Sequence, residues 1–183
     1  MIYHLPLQTA ALVTGIILVL IGLPGVIVPA QTQGVAKKVP RSYPIGVVIL
    51  AIDLVWTLWL VATMEMGEFQ TFRKPLLALL PIGFLLTLRF VDEFLAVRAL
   101  GILCLLAAEP LLDAAFLRTD TARLFVTTFA YVLVVLGILW VTMPYLLRDQ
   151  ISWSSRSTWR WRGLHGFCLL YGVTVLGLAL TKY

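Results

Sequence analysis

The sequence has few charged residues for its length. Charged residues make up 13% of the 183 residues, about half the share in a soluble domain, and hydrophobic residues make up 61%. The mean hydropathy is +0.97. These values exclude a soluble globular domain, and they exclude a disordered chain, which needs low hydrophobicity and high net charge. The continuous apolar runs predict membrane-spanning helices rather than the short alternating segments of a membrane β-barrel.

The sequence also lacks the motifs of common enzyme and metal sites. It has no GxSxG, HExxH, Walker or GxGxxG pattern. Cys104 and Cys168 fall inside apolar runs, and His4 and His165 are far apart, so we expect no disulfide framework, zinc site or bis-histidine haem. We predict no metal and no cofactor. An enzyme embedded in the membrane and acting on a lipid-like substrate remains the weakest functional alternative.

Six apolar runs predict an all-α polytopic bundle that forms a single domain over residues 1–183. The predicted spans are 9–29, 45–64, 74–90, 94–116, 124–147 and 163–180. No basic segment precedes the first run, so we expect an uncleaved span rather than a signal peptide. The third span contains an uninterrupted apolar run of only 13 residues, Leu76–Leu88, which leaves a re-entrant path as the alternative.

The net charge of +5 is explained by the loops between the spans. With six spans, one side of the membrane carries Lys37, Lys38, Arg41, Arg89, Arg148, Arg156, Arg160 and Arg162, and the other carries Arg73, Lys74, Arg118, Arg123 and Lys182. A five-span path leaves the two sides nearly equal. Because cytoplasmic loops are richer in Lys and Arg, the six-span path predicts both termini outside the cytoplasm, in an inner or plasma membrane.

Asp53 is the first candidate functional residue, because it lies near the middle of the second span. A charged side chain at that depth costs about 2.5–3.5 kcal/mol on insertion scales. Thr57 follows one turn later and is positioned to donate a hydrogen bond to the carboxylate. Asp53 is therefore either a proton or cation site, or a protonated residue hydrogen-bonded between helices.

A polar stripe on the fourth span supplies further candidates for a proton or ion path. Glu109 and Asp113 are four residues apart, and Arg98 precedes Glu109 by eleven, so the three share one helix face. This stripe should face the bundle interior or a water-filled cavity. The alternative for Arg98 is a side chain that reaches lipid headgroups. His165, near the start of the last span, is either a proton relay or a packing residue.

The segment 148–162 interleaves tryptophan with arginine. Its candidate headgroup contacts are Trp153, Arg156, Trp159, Arg160, Trp161 and Arg162. Tryptophan prefers the headgroup level and arginine pairs with anionic lipid. The same composition also suits single-stranded nucleic acid, but a position between two spans favours anionic lipid, and we predict no nucleic-acid partner.

These features predict a small multi-pass membrane protein that acts through helix packing and partner or lipid contacts, as an accessory subunit or a homo-oligomer. A small proton- or cation-coupled transporter or channel is the alternative. Transport requires Asp53 and the Arg98–Glu109 stripe to share a cavity, whereas a scaffold lets Asp53 be sealed between helices. An enzyme requires an opening to lipid beside the carboxylates.

Overall fold

The computed structural model describes residues 3, 5–91, 93–118 and 120–182, which form helices joined by short connections. The helices are α1 (Leu7–Ile27), α2 (Pro29–Lys38), α3 (Tyr43–Thr63), α4 (Arg73–Phe90), α5 (Leu95–Ala115), α6 (Arg123–Thr142), α7 (Tyr145–Ser154) and α8 (Thr158–Thr181). Two 3₁₀ segments, Val39–Arg41 and Gly67–Phe72, precede α3 and α4. Six of the eight α-helices in the part of the chain that the structure describes, all except α2 and α7, are long and apolar enough to cross a membrane, α4 together with the 3₁₀ segment before it. This confirms the predicted all-α bundle of six membrane helices.

Two segments that the sequence analysis treats as loops are helical. The α2 helix begins at Pro29, whose fixed φ suits the first helical position. The predicted span 124–147 ends earlier, because α6 stops at Thr142 just before Pro144 and α7 begins after it. The α4 helix is continuous through Pro81, whereas a re-entrant path would reverse its direction there.

The helices run alternately between two ends of the bundle. We call the end where α1 begins and α8 finishes the terminal end, and the end formed by α2, Val39–Arg41 and α7 the basic end. A cluster of small and branched side chains joins α1, α5, α6 and α8 near the terminal end, with Ala11, Val126 and Val175 at its centre. A second cluster around Leu50 and Leu95 joins α3, α4 and α5 near the basic end.

Glycines set the tightest helix contacts. In the α1–α8 pair, a Cβ placed on Gly22 would lie 2.7 Å from the backbone nitrogen of Leu169. In the α5–α6 pair, a Cβ on Gly137 would lie 2.8 Å from the carbonyl oxygen of Gly101. Small residues allow such close approach between membrane helices. We call these two contacts the glycine seams.

Candidate functional site at the membrane carboxylates

Asp53 lies on the face of α3 that packs inside the bundle. Its residue surface is 2% exposed, and neither carboxylate oxygen has a hydrogen-bond partner among the described residues. The Thr57 hydroxyl donates to the backbone carbonyl of Asp53 at 2.7 Å. The expected bond from Thr57 to the carboxylate is therefore not formed. Cys104 of α5 lies within electrostatic range of Asp53.

Neighbouring side chains enclose the Asp53 carboxylate and exclude solvent from it. A buried polar group without a partner costs free energy, because it loses its hydrogen bonds to water. Asp53 therefore has the burial that the scaffold interpretation requires, but it lacks the hydrogen bonds that would make it stabilising.

The stripe on α5 is divided between different environments. Arg98 is half-buried near the basic end, and its Nε has no hydrogen-bond partner in the described ranges. Glu109 is exposed and Asp113 is half-buried, closer to the terminal end. Where the structure describes the chain, its one ion pair joins Arg148 and Asp149. The structure thus pairs Arg98 with neither Glu109 nor Asp53.

Glu109 and Asp113 line an open groove on the surface of α5 and α6. The groove has a volume of about 540 Å³ and is lined by Leu105, Ala108, Glu109, Leu112, Asp113, Phe116 and Val134. We call it the acidic groove. Asp53 is not among its lining residues, so the structure does not bring Asp53 and Glu109 to this one cavity.

Tyr3 joins this region from outside the membrane helices. The indole Nε1 of Trp56 donates to the Tyr3 hydroxyl at 2.7 Å, and the Tyr3 and Trp59 rings lie 5.5 Å apart. Burial raises the pKa of the Tyr3 phenol, and the nearby Glu109 and Asp113 raise it further. Tyr3 therefore bridges α3 and α5. Tyr3 precedes the first apolar run, and no pattern in the sequence distinguishes it from other tyrosines.

His165 packs between α1 and α8. Its Nδ1 lies 3.0 Å from the carbonyl oxygen of Trp161, and its ring stacks on the Trp161 indole with centroids 4.4 Å apart. A Cβ on Gly25 would overlap the imidazole ring, since it would lie 2.0 Å from Cδ2. These contacts favour the packing interpretation of His165. His4 lies outside the described residues.

The predicted headgroup contacts separate into outward and inward residues. Trp153 and Trp159 are 51% and 83% exposed, and Arg156, Arg160 and Arg162 are also exposed. Trp161 differs from the prediction because it turns inward. It is 4% exposed and donates to the Thr32 hydroxyl oxygen at 3.0 Å. Helical periodicity at the start of α8 explains why Trp159 and Trp161 point in different directions.

Comparison of the chain with protein-family models, with curated proteins and with solved structures finds no match in any of the three.

Proposed function

We propose that this multi-pass membrane protein is an accessory subunit whose acidic groove receives a membrane helix of another protein, and that this helix carries a basic side chain. The observation that supports the proposal is the exposed Glu109 carboxylate in an otherwise largely apolar groove.

The depth of Glu109 makes its charge costly, and the phenol of Tyr3 beside it is neutral and does not balance that charge. Glu109 precedes Ala115, the last residue of α5, by six residues, or about 9 Å along the helix axis. Helical Cα–Cβ bonds tilt toward the helix N-terminus, which for α5 is the basic end. The side chain therefore leans away from the nearer membrane surface. A charge costs about 2.5–3.5 kcal/mol at the centre of a span and less toward its ends, and a partner that pairs Glu109 offsets part of that cost.

The remaining lining of the groove suits an apolar helix. Leu105 and Leu112 present hydrophobic side chains along α5, Phe116 follows at the end of that helix, and Val134 closes the groove from α6. Ala108, which is 1% exposed, keeps the floor of the groove low. Small residues at a helix interface allow a second helix to approach closely. A partner helix therefore gains packing along the whole groove.

The acidic charge favours a different protein over a second copy of this chain. A two-fold symmetric dimer applies the same surface to itself. Such a dimer would bring two acidic grooves together, and no basic residue of the groove lining would balance their carboxylates, which repel one another at low dielectric. Lys or Arg on a different helix offers the opposite charge.

Photocrosslinking in native membranes tests the groove. A photoreactive amino acid replaces Leu112 in the groove, and in a matched control it replaces Val135, which is 56% exposed on α6 and does not line the groove. We expect a discrete adduct with another membrane protein from position 112 and none from position 135. Glu109→Lys should abolish the adduct, and Lys→Glu or Arg→Glu in the partner should restore it.

Three results would contradict the proposal: an adduct only with a second copy of this chain, an adduct that survives Glu109→Lys, or no adduct from position 112. The Glu109→Lys variant must melt at the same temperature as the unmodified protein and be present in the membrane in the same amount, so that loss of the adduct reports on the groove. An adduct counts in favour only with the charge-reversal rescue, since capture alone does not establish a paired carboxylate.

The transport alternative has less support, because Asp53 is 2% exposed and does not line the acidic groove. We expect the purified protein in liposomes to give no proton or cation flux above that of empty liposomes. Flux that is abolished by both Asp53→Asn and Glu109→Gln, in folded variants, would replace the accessory-subunit proposal with transport.

A further inference from the structure

A second cavity lies at the opposite, basic end of the bundle. It has a volume of about 390 Å³ and is lined by Lys37, Pro40, Arg41, Arg148, Ile151, Ser152, Ser155 and Arg156. The lining includes four basic residues and no acidic one. We call it the basic cavity. It is within the size range of small-molecule sites.

The four basic side chains come from two separate parts of the chain. Lys37 lies in the last turn of α2, and Arg41 ends the following 3₁₀ segment. Arg148 belongs to α7, and Arg156 follows that helix. Contact between α2 and α7 brings the two parts together. The convergence is therefore a product of the tertiary fold rather than of a local basic run.

The local negative charge does not balance these cations. Asp149 forms an ion pair with Arg148 at 2.8 Å, but both side chains are about half exposed, so solvent weakens the pair. The carbonyl ends of α2 and α7 contribute about half a negative charge each. The cavity therefore keeps a net positive charge, and an anion would relieve the repulsion among its cations.

The donor chemistry of the cavity suits phosphate. Guanidinium groups bind phosphate oxygens in a bidentate manner. Arg148 is positioned by Phe94, whose ring centroid lies 5.9 Å from the guanidinium carbon. The hydroxyls of Ser152 and Ser155 donate to backbone carbonyls within α7 and at its end. Recognition of an anion therefore depends on the basic side chains.

The position of the cavity adds a second argument. The α7 helix connects two membrane helices, and the exposed Trp153 on it is typical of the headgroup level. Phospholipid phosphates lie at that level, next to the aqueous phase. The geometry points to a binding site for a phosphate group in the basic cavity, supplied by the headgroup of an anionic phospholipid or by a soluble phosphate compound. This inference does not depend on the acidic groove.

Two probes distinguish the sources of the phosphate. The full-length protein is held in dodecyl maltoside micelles, which contain no phosphate, either with phosphatidic acid added to the micelles or with inorganic phosphate added to the buffer. Binding is followed by native mass spectrometry and by the melting temperature. A rise in melting temperature with phosphatidic acid alone identifies a headgroup site, and a rise with inorganic phosphate identifies a site for soluble phosphate compounds.

A matched pair of double variants tests the residues. Arg41→Gln with Arg156→Gln removes two basic residues of the cavity, whereas Lys38→Gln with Arg89→Gln removes the same charge at the same end without touching the lining. Whichever probe binds the unmodified protein, we expect the Arg41 and Arg156 double variant to bind it about tenfold more weakly for each lost contact. The control pair should bind it as the unmodified protein does.

Equal weakening by both double variants would overturn the inference, because it would show a diffuse attraction to the basic end rather than a site. If neither phosphatidic acid nor inorganic phosphate binds, the inference is overturned as well. The melting temperature of each variant without added phosphate or phosphatidic acid identifies variants that fail to fold. If the Arg41 and Arg156 variant fails this check, Lys37→Gln alone serves in its place, since it belongs to the same lining.

Discussion

The α1 helix and the α4 helix carry similar sequence features but occupy different environments. Both are apolar and both contain glycine and proline. In α1, 39% of the most apolar window is buried, whereas in α4 none of it is. Gly22 of α1 faces the backbone of α8, while a Cβ on Gly83 of α4 would meet nothing within 4 Å. A membrane-helix glycine therefore has a packing role only where another helix approaches it.

The largest predicted effect is at the α1–α8 seam. Gly22→Leu would force a side chain against the Leu169 backbone, which is unable to move as a flexible side chain does. We expect a loss of about 3 kcal/mol of stability, measured by thermal unfolding in detergent. Unchanged stability would show that α1 and α8 are not packed through this glycine.

Asp53→Leu should change stability in the opposite direction. It replaces an unpaired buried carboxylate with an apolar side chain, so we expect a gain of about 1–3 kcal/mol in the same assay. Thr57→Val is the matched control, because the Thr57 hydroxyl bonds only the backbone carbonyl of Asp53, and it should be nearly neutral. A loss of stability in Asp53→Leu would reveal a favourable interaction of the carboxylate.

A smaller effect is predicted where Tyr3 bridges α3 and α5. Glu109→Gln removes a negative charge that raises the pKa of the Tyr3 phenol, so the Tyr3 pKa should fall. It should stay above that of a free tyrosine, since burial, the largest cause, remains. Tyrosine titration by NMR, with Tyr3→Phe to assign the signal, measures this change. A rise or no change would place Glu109 away from Tyr3.

The smallest predicted effect completes the comparison of α1 with α4. Gly83→Leu adds a side chain in open space on α4, so we expect no loss of stability and a gain of at most about 1 kcal/mol, because leucine favours a helix more than glycine does. The assay is the one used for Gly22→Leu. A large loss would show that a helix of another molecule covers this face of α4.

The sequence predicted the parts of this protein that depend on local composition. Membrane helices follow from apolar length, because backbone groups in lipid must be satisfied within the helix itself. The six spans were therefore predictable. The helices α2 and α7 were missed because their apolar residues are too few to form a span. Pro144 was a usable signal for the end of α6.

The candidate residues were predictable as residues but not as a site. Asp53 and Glu109 stand out because charge is rare in apolar runs. Whether two of them share a cavity depends on the rotation of each helix about its axis and on which helices pack together. The apolar patterns on these helices determine neither. The inward turn of Trp161 and the bridging role of Tyr3 also depend on contacts with residues far away in the sequence.

The amino-acid sequence by itself determined that the protein is an all-α, multi-pass membrane protein with a few costly charges, because hydropathy and helix length act locally. Only the tertiary structure decided that Asp53 is sealed, that Glu109 faces outward in the acidic groove, and that Lys37 and Arg41 meet Arg148 and Arg156. These outcomes depend on how helices from distant parts of the chain pack against one another, and that is a property of two surfaces rather than of one segment.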